Sequence, residues 1–263
     1  MLTERRYALP LQVLEPMELE AGVAALMLLN PTGGVVGGDR LHTEVRLGTG
    51  SHVCLTTPSA TRVYRSAGPL AVLSFRATLG SGARLEYVPD HLIPSPGARA
   101  RQSTELVLAP GATALVLDAW SVGRPARGET WDFGELDLAL RVSDRDGPIL
   151  RERACLRGSR FWDRLGGGEG HAYLATFAAV GAAVGADPTG GRRRWEGLAH
   201  DLTRRAEGLA DGACVGVSAL GRGGVLARVL ARSAPALLEA TEAVWAASRR
   251  SLYDLPPLPL RKL

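Results

Sequence analysis

The sequence predicts a mainly β fold, in which short strands stack in β-helix-like layers with two or three α-helices, as a single domain over 1–263. Three observations lead there. A phrase of the form Leu-x-x-Gly-small-x, closed by an apolar residue, recurs as Leu47-Gly48-Thr49-Gly50-Ser51-His52-Val53, as Leu79–Leu85 and as Leu108–Leu115. Its glycines, Gly50, Gly82 and Gly111, lie 32 and 29 residues apart. Each copy joins two alternating or apolar runs, and one strand–turn–strand unit per thirty or so residues is how stacked β architectures read in sequence. An ordinary β-sandwich is the alternative for the same strands.

In chain order, the strands expected are Thr43–Leu47, Val53–Thr57, Ala71–Leu79, Ala83–Val88, Ser103–Leu108 and Ala114–Trp120, then Leu136–Val142, Pro148–Leu156, Tyr173–Val180, Ala213–Leu220 and Val225–Ala231. Leu209-Ala210-Asp211-Gly212 reads as a late copy of the turn phrase. Two segments carry apolar residues at helical spacing: Arg194–Leu209, through Leu198, Leu202, Ala206 and Leu209, and Ala234–Leu252, through Leu237, Leu238, Thr241, Val244, Trp245 and Leu252. Gly158–Gly170, with three consecutive glycines, reads as loop. The tail after Leu252 holds three prolines, which excludes helix and leaves a docking strand or disorder.

Hydrophobic content of 46% and charged content of 22% are those of a globular chain, and no apolar run is long enough for a transmembrane helix. The N-terminus lacks a signal pattern, so a cytoplasmic location is expected. The net charge is +4, and all but one of the 31 basic residues are Arg. The one dense basic run, Arg192-Arg193-Arg194, has only Trp195 beside it, which argues against nucleic acid as a partner. Cys54, Cys155 and Cys214 are far apart, which fits a reducing compartment and excludes a zinc site built on cysteine.

The most informative run is Asn30-Pro-Thr-Gly-Gly-Val-Val-Gly-Gly-Asp-Arg-Leu41. Gly33 and Gly38 occupy the first two glycine positions of a phosphate-cradling P-loop, but Asp39 and Arg40 stand where Lys and Ser or Thr belong. A carboxylate there would repel phosphate. What remains is a tight double-glycine bend that presents Asp39 and Arg40. Elsewhere His52 and Cys54, at i and i+2 of a strand, share a face and could share a metal. Glu86 to Asp90-His91 gathers two carboxylates and an imidazole near a strand end, and Gly123-Arg124 to Glu129 forms a charged turn. No local nucleophile, zincin or kinase signature is present.

Taken together, Asn30–Leu41, Leu55-Thr-Thr-Pro-Ser-Ala-Thr-Arg-Val-Tyr-Arg-Ser66, Leu85-Glu-Tyr-Val-Pro-Asp90 and Gly123-Arg-Pro-Ala-Arg-Gly-Glu129 resemble, in order and gaps, the urease accessory proteins of the UreD (also UreH) family. The likeness is strongest in the first half. Arg62 departs from the family's lysine, and Asp90-His91 from its Gln-Glu. The resemblance implies a non-enzymatic protein of stacked strands that binds apo-urease with UreF and UreG and helps nickel into urease. It implies no tightly bound cofactor, only nickel in transit over weak oxygen sites, since thiolate and imidazole sets would trap the ion. On that basis Asp39, Glu86, Asp90 and Glu129 are expected to line a polar path, with Asp39, Glu86 and Glu129 facing inward. Arg40, Arg62, Tyr64, Arg65, Arg124 and Trp245 are the expected binding residues, with Trp245 and the C-terminal region on the UreF side. The competing class is a β-rich enzyme acting on a small anion through the Asp39 loop and the Glu86–His91 cluster.

Overall fold

Parallel pairing dominates the first half of the chain. The structure, a computed structural model, describes residues 2–20, 22–157, 168–182, 188–208, 212–258 and 260. An N-terminal edge of β1 (Gln12–Val13), β2 (Met17–Glu20) and β3 (Val23–Leu29) leads into β4 (Arg40–Leu47), β5 (His52–Thr56), β6 (Thr61–Val63), β7 (Ala71–Leu79), β8 (Arg84–Tyr87), β9 (Leu92–Pro94), β10 (Arg99–Leu108) and β11 (Thr113–Ser121). The pair β12 (Gly123–Arg124) and β13 (Glu129–Thr130) brackets a single 3-10 turn. Then follow β14 (Glu135–Asp144), β15 (Gly147–Leu156), β16 (Tyr173–Gly181), α1 (Pro188–Ala206), β17 (Ala213–Ala219), β18 (Gly224–Ala231) and α2 (Ala234–Tyr253).

Long strands go alternately to two sheets. In the larger sheet β3, β5, β8 and β11 are parallel neighbours, and in the five-stranded sheet β4, β7, β10 and β14 are. The turns between them stack as the repeat requires. Gly50, Gly82 and Gly111 all take positive φ, at 67°, 65° and 73°, where a side chain would be strained. The Gly50 amide donates to the Ser81 carbonyl at 2.9 Å, and the Gly82 amide to the Pro110 carbonyl at 3.0 Å, so each turn is bonded to the next. The buried Leu47, Leu79 and Leu108 stand in register beneath them. These parallel rungs replace the sandwich alternative.

After β14 the pairing turns antiparallel: β15 closes the small sheet, and β16, β18 and β17 extend the large one. Helix α2 starts where Ser233 caps the Ala236 amide, with proline in the first turn, and stops at Asp254 in the left-handed region. Its buried stripe (Leu237, Val244, Trp245, Leu252) and that of α1 (Trp195, Leu198, Leu202) cover the outer face of the large sheet. Helices, large sheet and small sheet thus form three layers.

Some expectations change. Helix α1 begins at Pro188, six residues before the expected Arg194. Gly212 opens the antiparallel β17 rather than a stacked rung, and the rest of that late copy, 209–211, lies outside the described residues, as does 158–167 of the expected loop. The described part of the tail, 254–258 and 260, is neither strand nor loose: Leu258 is buried, and Leu255 and Leu260 pack on the same cluster; 259 and 261–263 lie outside the described residues.

Candidate functional site: an interlayer polar row beside the double-glycine loop

The four glycines of the double-glycine loop divide into two kinds. Gly33 and Gly38 have positive φ, 76° and 94°. Gly34 and Gly37 permit close approach. A Cβ at Gly34 would lie 2.6 Å from the Arg62 carbonyl and 2.7 Å from the Tyr64 ring, and one at Gly37 would lie 1.8 Å from the Ser66 hydroxyl. The loop therefore lies directly on the Arg62–Ser66 segment, with the Val35 amide donating to the Arg62 carbonyl and the Tyr64 amide to the Val35 carbonyl, both at 2.8 Å. The two most distinctive motifs of the sequence are one structural unit. Asp39 closes it by accepting from the Val36 amide at 2.9 Å.

A cavity of about 130 Å³ runs under this unit between the sheets. Gly33, Gly34, Ser59 and Asp90 line it, and so do Tyr87, Gln102 and Asp118. Asp118 (β11), Thr176 (β16) and Arg228 (β18) are in register across the large sheet. Gln102 and Glu152 reach the same row from the small sheet: the Gln102 amide donates to Asp118 at 2.6 Å, and the Thr176 hydroxyl donates to Glu152 at 3.2 Å. Arg228 pairs with the same Glu152 oxygen at 3.2 Å. This polar row separates two apolar clusters, one holding Val116, Ala178 and Leu150, the other Trp120, Leu174 and Leu156.

Polar groups inside a core must be satisfied or serve something other than stability. Glu152 keeps one oxygen, Oε2, buried without a hydrogen-bond partner among the described residues. Burial, and then the charge of Glu152, push the Asp118 carboxyl up to about 7 from a usual 3.8, against the pull of the Gln102 hydrogen bond. Burial also raises the Tyr87 phenol, with Asp118 adding to it. Asp118 keeps part of its surface accessible, on the side of the cavity it lines.

The sequence-expected residues fall in three places. Asp90 lines the cavity, its amide donating to the Thr57 hydroxyl at 2.9 Å. Asp39 and Glu129 are half-buried, and neither lines the cavity. Asp39 is the loop's closing acceptor, and Glu129 is bound at both oxygens by Arg124, at 2.5 and 2.7 Å, beside the 3-10 turn. Glu86 does face inward, but on the opposite side of the large sheet. It accepts from His52 Nε2 at 2.7 Å, Trp245 Nε1 at 2.6 Å and Arg249, which also bridges to Glu20. Burial alone would raise the Glu86 carboxyl; the His52 hydrogen bond and Arg249 outweigh it and hold the group below its ordinary value.

The other calls sort by exposure. Arg40, Arg62 and Arg65 are exposed around the glycine loop, with Tyr64 half-buried among them. Trp245 is buried under the helix layer at 6% exposure, so it offers no face to a partner and instead ties α2 to Glu86. His52 is taken up by Glu86, and no group of three or more potential ligands from His, Cys, Asp and Glu occurs among the described residues, so the His52–Cys54 pairing forms no metal site there. Of the Glu86–His91 cluster, Asp90 lines the cavity beside the glycine loop, but Glu86 lies beneath α2 and Asp39 does not line that cavity, so the two acids do not share one site. Sequence reasoning missed Asp118, Glu152 and Arg249. The signal for Asp118 was available: a lone acid inside the apolar strand Ala114–Trp120.

The profile of the family described as UreD urease accessory protein matches residues 1–262. The chain is 36% identical over 261 residues to the urease accessory protein UreD of Cupriavidus necator, covering 99% of this chain and 88% of that one. It is 34% identical over 263 residues to that of Cupriavidus metallidurans, again covering 99% and 88%. With UreD of Pseudomonas putida strain W619 it shares 41% over 178 residues, 68% of this chain and 63% of the other.

Proposed function

The chain belongs to the UreD family of urease accessory proteins, and from that premise we propose that it binds apo-urease together with UreF and UreG and conducts nickel toward the urease active site through its interior. The observation that carries the conduit is the interlayer row. Asp118 and Gln102 face a cavity with room for several waters, and Glu152, whose charge acts on Asp118 from the same row, keeps a buried carboxylate oxygen with no hydrogen-bond partner among the described residues. Oxygen donors and water suit a hydrated divalent ion that must leave again, whereas clustered thiolate or imidazole would hold it. Asp90 extends the same wall. In this account Asp39 and Glu129 brace the surface turns, Glu86 latches the C-terminal helix, and the exposed Arg40, Arg62 and Arg65 with Tyr64 are available to partners. The setting is the cytoplasm, and no described helix is long and apolar enough to cross a membrane.

The role is that of an accessory protein rather than an enzyme. The reaction to follow is therefore nickel loading of another protein. Apo-urease, UreF, UreG and nickel are combined with and without the purified chain, and nickel per urease active site is measured. The chain is expected to raise nickel content and to co-elute with apo-urease and UreF. Equal nickel loading without it overturns the proposal.

A further inference from the structure

Eight large apolar side chains stand exposed among the described residues, and six of them fall in the first nineteen positions: Leu2, Tyr7, Leu9, Leu14, Met17 and Leu19, at 38 to 75% exposure. Scattered apolar residues on a surface need no explanation; a concentration does. The arm is folded back on the sheet, since Arg5 donates to the Val13 carbonyl at 3.3 Å and pairs with Glu15. It thus lies beside β1 and β2, which pair only with β3 among the described residues. The far edge of the small sheet, β4, is by contrast studded with exposed Arg40, His42, Glu44 and Arg46, as edges that avoid partners are.

Two further observations say what covers this face. The first is charge. Residues 2–20 carry four glutamates against Arg5 and Arg6 on a chain of net +4; Arg6 pairs with Glu4, Arg5 with Glu15 and Arg249 with Glu20, which leaves the charge of Glu18 uncompensated on this face. Glu18 makes its one hydrogen bond to the Gly22 amide and meets no cation among the described residues. The second is position. Leu11, at the foot of the arm, and Leu28 and Leu29, which β1 pairs with, line the interlayer cavity. A partner seated on the arm would also cover that end of the cavity. A backbone-only strand addition is disfavoured, because Pro16 lacks an amide hydrogen and Glu15 and Glu18 flank the edge. A negative face is also a poor fit to an anionic membrane.

We propose that the N-terminal arm and the β1–β2 edge are a docking surface for a protein partner whose contact face has an apolar centre and a Lys/Arg rim, and that this partner closes the cavity at the same time. The inference rests on the maturation reading only in taking the partner from that complex. Side chains that are already exposed can be changed without emptying the core, so the test uses the full chain with Tyr7→Ser/Leu9→Ser/Met17→Ser/Leu19→Ser, and separately Glu15→Arg/Glu18→Arg. Purified UreF and purified apo-urease serve as probes, each titrated alone, with the thermal midpoint of every variant checked against the unaltered chain.

The expected result is at least a tenfold loss of affinity for one probe in both variants at an unchanged midpoint, together with weaker binding by the unaltered chain as salt rises. Binding of both probes within twofold of the unaltered chain overturns this inference alone. So does a chain that is a dimer by itself and becomes monomeric in the serine variant, which makes a second copy the occupant, or one whose flotation with anionic vesicles the serine variant abolishes. An unaltered chain that binds neither probe overturns the maturation reading as well.

Discussion

Glu86→Ala should be among the most destabilising single substitutions available to this protein. The carboxylate is 0% exposed, and so is the Arg249 side chain against it. Glu86 accepts from three donors, on β5 and at two positions of α2, so its removal leaves a buried guanidinium with, among the described residues, Glu20, the Pro256 carbonyl and the Trp245 ring. Breaking one side of a buried pair costs about 3–5 kcal/mol, mostly from the charge left behind. With a urea slope of about 3 kcal/mol/M for a chain of this size, the unfolding midpoint should fall by about 1–1.7 M. Glu86→Leu with Arg249→Met removes both charges and should recover most of that loss, because an apolar replacement of a buried pair is often neutral. Acid should reveal the same latch. The folded carboxyl is held below its ordinary 4.5, so its contribution is present above that pH and is lost as pH falls through the lower folded value. If Glu86→Ala moves the midpoint by less than about 0.3 M, roughly 1 kcal/mol at that slope, the latch is not what holds α2.

Asp118 should behave oppositely. With its carboxyl raised to about 7 from 3.8, the folded chain holds a proton the unfolded chain has released, so stability falls as pH rises through that window. Asp118→Asn should therefore be more stable than the unaltered chain at pH 8, by at most about 4 kcal/mol and less for the exposure to the cavity, with no gain below pH 3.8; urea midpoints across pH measure it. Gly37→Ala, whose new Cβ would press on Ser66 and on the Pro69 carbonyl, should lower the thermal midpoint, whereas Gly48→Ala, with nothing within 4 Å, should not. Ser233→Ala removes the cap on Ala236 and should cost about 1 kcal/mol in a urea titration.

The stack was legible because its signal is local. A positive-φ glycine every thirty or so residues, between apolar runs, can be seen without knowing what it touches, and Gly50, Gly82 and Gly111 sit where that pattern puts them. The glycine pairs at 33–34 and 37–38 were legible as a bend, but their division of labour was not, because Arg62, Tyr64 and Ser66 supply the steric reason from another segment. The N-terminal strands were missed for lack of a turn phrase. Helix α1 was begun late because its apolar spacing starts only at Leu198, while the first turn, which holds Gly190 and Gly191, carries no apolar stripe. The site was hardest. Glu86 and Arg249 are 163 positions apart, and Asp118 meets Gln102 and Glu152 only once two sheets are laid together. Trp245, expected on the UreF side because the C-terminal helix and tail carry more apolar surface than a lone β domain needs, is consumed by the chain's own core.

The most direct test of the interior route replaces Asp118 with Asn and Glu152 with Gln, which keeps shape while removing charge from the row. The readout is nickel per urease active site, after maturation with a chain shown by size-exclusion chromatography to be in its complex with apo-urease and UreF. An interior route predicts a normal complex and several-fold less nickel for the double variant, with Asp39→Ala, at the surface loop, loading nearly as well as the unaltered chain. Full nickel loading by Asp118→Asn/Glu152→Gln in an intact complex would contradict it.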